Sequence, residues 1–354
     1  MTEAPDSALA TALAAGLAPW FEASHRDLTW RRTADPYAIW VSEIMLQQTR
    51  VETVERYYAD FLARFPTVEA LADAEQSEVL EAWSGLGYYR RARLLHKGAQ
   101  HVRDTFGGTV PGDGASLLGV PGIGKYTAGA IASIAFDKPQ PLVDGNVARV
   151  LSRVCGIDEP KQQDATAKGH WRLTEAILTR GRPRVLAQAL MELGATVCTP
   201  KSPRCEACPI RDHCNALATG RTATIPAPRK KVAQPLDRLC ALAVVSRKRL
   251  LMIKRPATGL LASMWCLPLV TDEDGPTELG TVFEDAEVID RWSRVGAVRH
   301  VFTHRIWELS VCRANVPKRP ALALTGEVAW VSPGDRPPGG IPSVTTKLLN
   351  AAGF

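Results

Sequence analysis

The chain has 354 residues, of which 45% are hydrophobic and 23% are charged, and this balance is typical of a folded globular protein rather than a disordered one. Its length suits two domains of about 150 residues each better than a single core. The formal net charge of +6 permits binding to a polyanion without requiring it, because the same charge also favours solubility. No apolar run is long enough to span a bilayer, and the N-terminal segment lacks the basic start of a signal peptide. We therefore expect a cytoplasmic protein with no membrane partner.

The first two thirds of the chain, from residue 7 to about 218, are predicted to be mainly helical, because apolar residues recur there at spacings of three and four. Glycine and proline punctuate the gaps between these periodic runs. Ser116 is a candidate cap for a short helix that leads into Leu117, and Asp113 is an alternative start. The clearest periodic runs lie at residues 9–17, 39–51, 68–83 and 185–197.

A change of composition follows the helical region. Residues 221–235 are rich in proline and basic residues and have little apolar pattern, so we predict an extended linker between a helical domain at 1–220 and a second domain at 236–354. The second domain is predicted to be α+β or mainly β, closed by a short helix near residues 345–352. Its predicted strands lie at residues 241–245, 250–254, 297–302 and 307–313.

Four of the eight cysteines are crowded into seventeen residues with the spacing C-x6-C-x2-C-x5-C. In a chain expected to be cytosolic, such a cluster indicates a metal site rather than disulfides. Tetrahedral zinc and a [4Fe–4S] cluster both suit four thiolates, and the single C-x2-C pair favours iron–sulfur because zinc sites usually show two. The other four cysteines are predicted to be small buried residues. The clustered residues are Cys198, Cys205, Cys208 and Cys214.

The segment LGVPGIG at residues 118–124 predicts a tight turn between two helices. Its three glycines, Gly119, Gly122 and Gly124, tolerate positive φ and would expose backbone N–H groups to an approaching anion. A generic Gly-Pro turn is the plainer interpretation. The apolar helix TAGAIASIAF and the segment VDGN that follow make that interpretation less favourable.

These motifs together resemble the helix-hairpin-helix glycosylases of the endonuclease III superfamily, and in particular the MutY-type adenine DNA glycosylases. The matching segments are the cysteine run at 198–214, the hairpin at 116–130, SEIMLQQT, VDGNV and, in the second domain, GLLASMWCLP. The resemblance implies a multidomain protein: a mainly α helix-hairpin-helix domain with a [4Fe–4S] cluster loop, then an α+β Nudix-like domain. The latter lacks the Glu-rich Nudix signature helix, which favours recognition over hydrolysis.

Two acidic residues in otherwise apolar sequence, Glu43 and Asp144, match the catalytic segments of this family. Cleavage of an N-glycosidic bond needs a proton donor for the departing base and an anion near the cationic sugar. The resemblance implies that Glu43 protonates adenine, at N7, and that Asp144 stabilises the sugar cation or bonds to it transiently. Each acid by itself is more often a surface residue or a helix cap, and Asp144 is placed to cap a helix beginning near Asn146.

Tyr126 stands where the bifunctional members of the superfamily place a lysine nucleophile, two residues after the last hairpin glycine. Tyrosine cannot form a Schiff base, so the resemblance implies base removal without efficient strand cleavage. Lys125 lies one position too early for that role. Asn146 and Tyr126 are then expected to orient the carboxylates and a water molecule.

The resemblance also assigns contacts to DNA. Adenine must leave the base stack to react, and Gln48 and Tyr88 match the family's wedge residues. Phe302-Thr303-His304 stands where the family has Phe-Ser-His, the loop that reads 8-oxoguanine, and Thr303 retains the hydroxyl. The full set of expected DNA and base contacts is Trp30, Arg31, Leu46, Gln48, Leu86, Tyr88, Gly119, Gly122, Gly124, Gln188, Phe302, Thr303 and His304.

The function implied is a monomeric, nucleoid-associated repair glycosylase that removes adenine mispaired with 8-oxoguanine or guanine in double-stranded DNA. Two alternatives stay open. A thymine- or oxidised-pyrimidine-specific glycosylase/lyase is disfavoured by Tyr126 and by the second domain. A non-catalytic DNA-binding or redox-sensing iron–sulfur protein is disfavoured because Glu43 and Asp144 are both present.

Overall fold

The packing of the chain divides it into two units in this computed structural model, which describes residues 3–159, 164–228, 233–272, 277–284, 291–324 and 326–354. The first unit comprises Met1–Asp73 and Leu94–Lys230, and the second comprises Ala74–Arg93 and Lys231–Phe354. None of the described helices has both the length and the apolar character of a membrane span.

Twelve α-helices account for the described part of the chain up to residue 218, as the periodicity predicted. Two of them, α2 and α8, are buried along almost their whole length, because their residues are apolar or small on every face. They carry the segments SEIML and TAGAIASI into the core of the first unit. The helices are α1 (Glu3–Ser24), α2 (Pro36–Leu46), α3 (Val51–Arg64), α4 (Val68–Asp73), α5 (Gln76–Ala82), α6 (Arg90–Phe106), α7 (Gly114–Gly119), α8 (Lys125–Ile134), α9 (Gly145–Cys155), α10 (Asp164–Leu178), α11 (Pro183–Glu192) and α12 (Asn215–Ala218).

Three predicted helical runs end or change earlier than their periodicity suggests. The run at 39–51 stops at Leu46, because Gln47 has an extended backbone with ψ of 111°, and Gln48 then adopts a left-handed one with φ of 57°. The run at 68–83 divides into α4 and α5. The run at 185–197 is α-helical only to Glu192 and continues as a π-helical turn to Val197.

Asp113, rather than Ser116, caps α7, since its carboxylate accepts the Ser116 backbone N–H at 2.9 Å.

The second unit is built on a seven-stranded mixed sheet. Strand β1 pairs parallel with β6 and antiparallel with β2 and β4, and β5 lies at one edge beside β6. Alternate side chains of β1 point to opposite faces, and the helix α13 covers one of these faces. The elements are β1 (Leu236–Ser246), β2 (Arg249–Lys254), β3 (Trp265–Cys266), β4 (Leu269–Thr271), β5 (Ser293–Val301), β6 (Ile306–Asn315), β7 (Val328–Val331) and α13 (Ser343–Ala351).

All four strands predicted from sequence are present, as β1, β2, β5 and β6, whereas the short β3, β4 and β7 were not predicted. The apolar layers also explain three of the isolated cysteines, because Cys240, Cys266 and Cys312 are buried in them or beside them. The fourth, Cys155, is exposed at the end of α9, so its predicted burial is wrong.

Residues 74–93 belong to the second unit by packing, although they precede the linker by more than a hundred residues. The Tyr89 hydroxyl donates to the Ile341 carbonyl at 3.0 Å, and the Arg93 guanidinium donates to the Ala262 carbonyl at 2.5 Å. The predicted boundary at residue 220 divides the chain in sequence order, whereas packing gives the sheet unit an additional helical segment from inside the predicted helical domain.

Candidate active site and cluster loop

Glu43 is the charged residue within the buried stretch of α2, and its side chain is almost fully enclosed. The Tyr126 hydroxyl donates a hydrogen bond to Glu43 Oε2 at 2.8 Å and also lies 3.2 Å from the sulfur of Met191. Burial raises the pKa of Glu43 to about 7; the Tyr126 hydrogen bond opposes this rise, Asp144 adds to it, and Arg31 opposes it. Glu43 can therefore hold a proton near neutral pH and donate it.

Asp144 is the N-cap of α9. Its Oδ1 accepts the backbone N–H groups of Asn146 at 2.9 Å and Val147 at 2.7 Å, and its Oδ2 accepts Asn146 Nδ2 at 3.1 Å. These bonds fix the orientation of the carboxylate. Asp144 can therefore be both a helix cap and a functional group, because the cap presents an oriented carboxylate to the same cavity that Glu43 lines.

The cavity between α2, α8, α9 and α11 has a volume of about 780 Å³. It unites two acids from segments a hundred residues apart, and this convergence is the geometry that two-carboxylate chemistry needs. Of the expected contacts, the structure does not place Gly119 in the cavity wall, and Leu86 and Tyr88 lie in the second unit. The predicted residues that do line the cavity are Trp30, Arg31, Glu43, Leu46, Gln48, Gly122, Gly124, Tyr126, Asp144, Asn146 and Gln188.

A buried ion-pair network forms one wall of this cavity. Glu192, at the end of α11, accepts from Arg26 at 2.9 and 2.8 Å and from Arg31 at 2.7 Å. Burial alone would raise the Glu192 pKa, but these hydrogen bonds outweigh burial and lower it to about 2. Sequence reasoning missed Arg26 and Glu192. The spacing of four residues between Gln188 and Glu192, which puts both on one face of α11, was the available signal.

Arg149 joins Asn146 to the segment that leads into the cluster loop. Its guanidinium donates to Asn146 Oδ1 at 2.9 Å, to the Gly194 carbonyl at 2.7 Å and to the Cys198 carbonyl at 2.8 Å. Because Asn146 itself bonds Asp144, the arginine helps to fix the capping carboxylate. No sequence pattern marks Arg149, because a lone arginine in a helix is common and has no distinguishing spacing.

The three hairpin glycines serve different purposes. Gly122 has a φ of 86°, and an added Cβ would come within 2.8 Å of Leu94 Cβ, so both conformation and packing require glycine there. Gly119 and Gly124 have ordinary φ, and an added Cβ would meet nothing within 4 Å. Both glycines are exposed, so the absence of a side chain leaves the backbone accessible from solvent at these two positions.

The cysteines of the cluster loop, none of them in a disulfide, line one small cavity. Arg153 Nη1 donates to Cys198 Sγ at 3.3 Å. Burial raises the pKa of Cys208 to about 11, opposed by a hydrogen bond from the Ile210 backbone and increased by the neighbouring thiols. Four cysteine side chains around one cavity are a donor set that fits an iron–sulfur cluster.

In the second unit, the 302–304 loop is held by contacts within that unit. The Gln234 amide donates to the carbonyls of Phe302 at 3.0 Å and Thr303 at 2.9 Å, and the Phe302 ring packs edge-on to Trp307. The Thr303 hydroxyl lies 3.2 Å from the hydroxyl of Tyr88, whose side chain is 49% exposed. Sequence reasoning placed Gln234 in a featureless linker, whereas the structure makes it a support of this loop.

Models of three families match the chain. The HhH-GPD superfamily of base excision DNA repair proteins matches residues 41–176, the iron–sulfur binding domain of endonuclease III matches 198–214, and the NUDIX domain matches 240–351. The adenine DNA glycosylase of Homo sapiens is 36% identical, over 94% of this chain and 71% of that protein. That of Buchnera aphidicola subsp. Baizongia pistaciae is 30% identical, over 92% of both. The chain belongs to the adenine DNA glycosylase family.

The family assignment confirms the fold class, the DNA glycosylase chemistry on N-glycosyl bonds and the [4Fe–4S] cofactor predicted from sequence. The adenine DNA glycosylase of Arabidopsis thaliana is 37% identical over 82% of this chain, and the chain spans 55% of that longer protein. Among solved structures, a thermostable thymine-DNA glycosylase matches with a TM-score of 0.55 and 30% identity, over 60% of this chain and 98% of its own. A non-covalent endonuclease III–DNA complex, at 22% identity and a TM-score of 0.50 over 58% of this chain and 94% of its own, shows the shared fold.

Proposed function

We propose that this member of the adenine DNA glycosylase family removes adenine paired with 8-oxoguanine, or with guanine, from double-stranded DNA by hydrolysis of the N-glycosidic bond. The observation that carries the proposal is the pair of acids in one cavity. Glu43 is buried and shifted toward its protonated form, while Asp144 is held as an oriented anion by three hydrogen bonds. The two groups thus differ in environment as acid and anion roles require, because Glu43 is buried beside one hydroxyl donor and Asp144 accepts three N–H donors.

The division of labour follows from these environments. Glu43 donates its proton to the departing adenine, which leaves as a neutral base. Asp144 stabilises the positive charge that develops on the sugar, and Asn146 keeps the carboxylate aimed into the cavity. A water molecule then bonds through its oxygen to the sugar carbon that the base has left, and the proton it releases returns to the Glu43 carboxylate.

Strand cleavage by a lysine nucleophile is not part of this proposal. Tyr126 occupies the position expected for that lysine, and its hydroxyl bonds Glu43. The neighbouring Lys125 packs instead on the Trp171 ring, with its ammonium 4.6 Å from the ring centre, and so is held by a cation–π contact. We therefore propose a monofunctional enzyme.

Recognition of the opposite base is assigned to the second unit. The exposed Tyr88 and the hydroxyl of Thr303 lie together there, and Phe302 and His304 flank the hydroxyl in sequence. A hydroxyl can donate to or accept from the edge of a damaged purine, as recognition of 8-oxoguanine requires. We propose that the protein acts as a monomer, in the cytoplasm, on nucleoid DNA.

The test is a panel of duplexes with 8-oxoguanine:A, G:A and T:G mispairs, incubated with excess enzyme. We expect free adenine from the first two, fastest from 8-oxoguanine:A, and strand breaks only after alkali is added. Release of thymine with breaks before alkali would favour the pyrimidine glycosylase/lyase alternative. Binding without release of any base would favour a non-catalytic protein.

A further inference from the structure

Glu192 is a buried carboxylate in the cavity wall that is paired with two arginines. Its carboxylate is 1% exposed and accepts hydrogen bonds from two arginine side chains and one backbone N–H, that of Arg26 at 3.1 Å. Arg31 is further tied by a bond of its Nη1 to the Arg26 carbonyl at 3.0 Å. All three side chains line the cavity that contains Glu43 and Asp144. A buried carboxylate normally destabilises a fold unless it is fully paired, so the network must be retained as a unit.

The network bears directly on the acid. Arg31 is the positive group that acts on Glu43, and its charge favours ionisation of that carboxyl. A second arginine, Arg26, points at the same carboxylate of Glu192. Without the Glu192 carboxylate at 2.7 Å, the charge of the nearly buried Arg31 would be unbalanced and would favour loss of the Glu43 proton.

We propose that Glu192 is a positioning residue for base removal: it fixes Arg26 and Arg31 in the cavity wall and balances their charge, so that Glu43 keeps its proton at neutral pH. This inference rests on the proposed function, since it presupposes that Glu43 acts as the acid. Glu192 does not itself touch the reacting atoms in this role. It acts through Arg31.

Three groups from other elements act on Glu43, and they differ in direction. Tyr126 from α8 donates to Glu43 and so favours its ionised form. Asp144, at the start of α9, disfavours that form, and Arg31, from the turn before α2, favours it. Glu192 is the acidic partner of Arg31. Removal of the Glu192 charge therefore leaves Arg31 unbalanced and is expected to lower the pKa of Glu43.

The test is the pH dependence of adenine release under single-turnover conditions for Glu192→Gln, which keeps the side chain's size and removes its charge. We expect the descending limb of the profile to move to lower pH by about 0.5–1 unit, so that the rate at pH 8 falls by about 3–10-fold. The rate at acidic pH, where Glu43 is protonated in both proteins, should stay within about twofold of the wild-type rate.

Asp27→Asn is the matched control. Asp27, the residue after Arg26, also pairs with an arginine, Arg32, but its side chain is 71% exposed and does not line the cavity. Screening by solvent should leave its profile unchanged. Glu192→Asp, which keeps the charge, should retain the wild-type position of the limb even if its overall rate is lower.

A second variant keeps the test decisive if Glu192→Gln folds poorly. Arg31→Met removes the positive charge and should move the limb to higher pH, and the double variant should lie between the two single ones. Equal loss at every pH, or a limb that does not move in either variant, would overturn the inference and leave only a structural role. Failure of the wild-type protein to release adenine would instead overturn the proposed function.

Discussion

The acid cavity of the helical unit and the 302–304 loop of the sheet unit hold their functional groups by different means. Glu43 is 5% exposed and fixed by a hydroxyl, and Asp144 is fixed by a helix terminus. Tyr88 and Thr303 lie near the surface, and the loop is supported by the Gln234 amide and by packing of the Phe302 ring on Trp307. Burial raises the pKa of Glu43 and so allows it to act as an acid. An exposed loop can reach a base in DNA, but water screens its groups from most electrostatic effects of the protein.

Glu43→Gln tests the first half of this comparison and has the largest expected effect. The amide cannot donate a proton in the same way, so we expect excision to fall by at least about 10³-fold while duplex binding stays close to wild type. Single-turnover excision and a gel-shift titration measure the two quantities. An excision rate like that of the wild-type protein would show that Glu43 is not the acid.

Glu43→Gln is also expected to raise the free energy of unfolding, although it lowers activity. The pKa of Glu43 is about 7 in the folded protein and 4.5 in the unfolded reference, so the folded state loses stability as pH rises from 4.5 to 7. Glutamine avoids this loss, and the free energy of unfolding at pH 8 should rise by up to about 2–3 kcal/mol. Near pH 4 the two proteins should be alike. Urea unfolding at both pH values measures the difference.

Thr303→Val tests the exposed half of the comparison. It keeps the shape and removes the hydroxyl, so we expect the preference for 8-oxoguanine:A over G:A to fall by about 3–10-fold, as for one lost hydrogen bond. Thr303→Ser, which keeps the hydroxyl, is the matched control. A point variant is preferable to deletion of the sheet unit, because residues 74–93 pack with that unit. Unchanged preference in Thr303→Val would remove this hydroxyl from recognition.

Tyr126→Phe sharpens the account of the buried acid and has the smallest expected effect. The Tyr126 hydrogen bond holds the pKa of Glu43 down, so its loss raises that pKa and keeps the acid protonated to higher pH. We expect the descending limb to rise by about half a unit, and the ratio of the rate at pH 8 to that at pH 6 to increase about two- to threefold. A limb that moves down would contradict the direction of this effect.

Local sequence predicted one part of the site well. Glu43, Tyr126 and Asp144 each lie in a short segment with a recognisable pattern, and the structure brings all three to one cavity. The cysteine run could be recognised for the same reason, since its ligands are close in sequence. Four supporting residues were missed, because each acts on a partner that is distant in the chain: Arg26, Arg149, Glu192 and Gln234.

The distances in sequence show why. Glu192 meets Arg26 across 166 residues, and Gln234 meets Phe302 across 68. No periodicity or spacing predicts such pairs, because tertiary packing alone brings them together. The same limit applies to the fold. The long helices and the central strands could be predicted from periodicity. The break at Gln48, the two-residue strand β3 and the unit to which residues 74–93 belong could not.

The sheet unit is assembled from two stretches of chain that synthesis delivers at different times. Residues 94–230 separate them, which at roughly 5–20 residues per second is a delay of about 7–30 s. During that interval Val79, Leu80 and Trp83, which are buried in the finished protein, have yet to meet the strands of their own unit. We expect nascent chains to be most prone to aggregation and chaperone capture in this window, when the chain of the helical unit is complete and the sheet unit has only its first twenty residues.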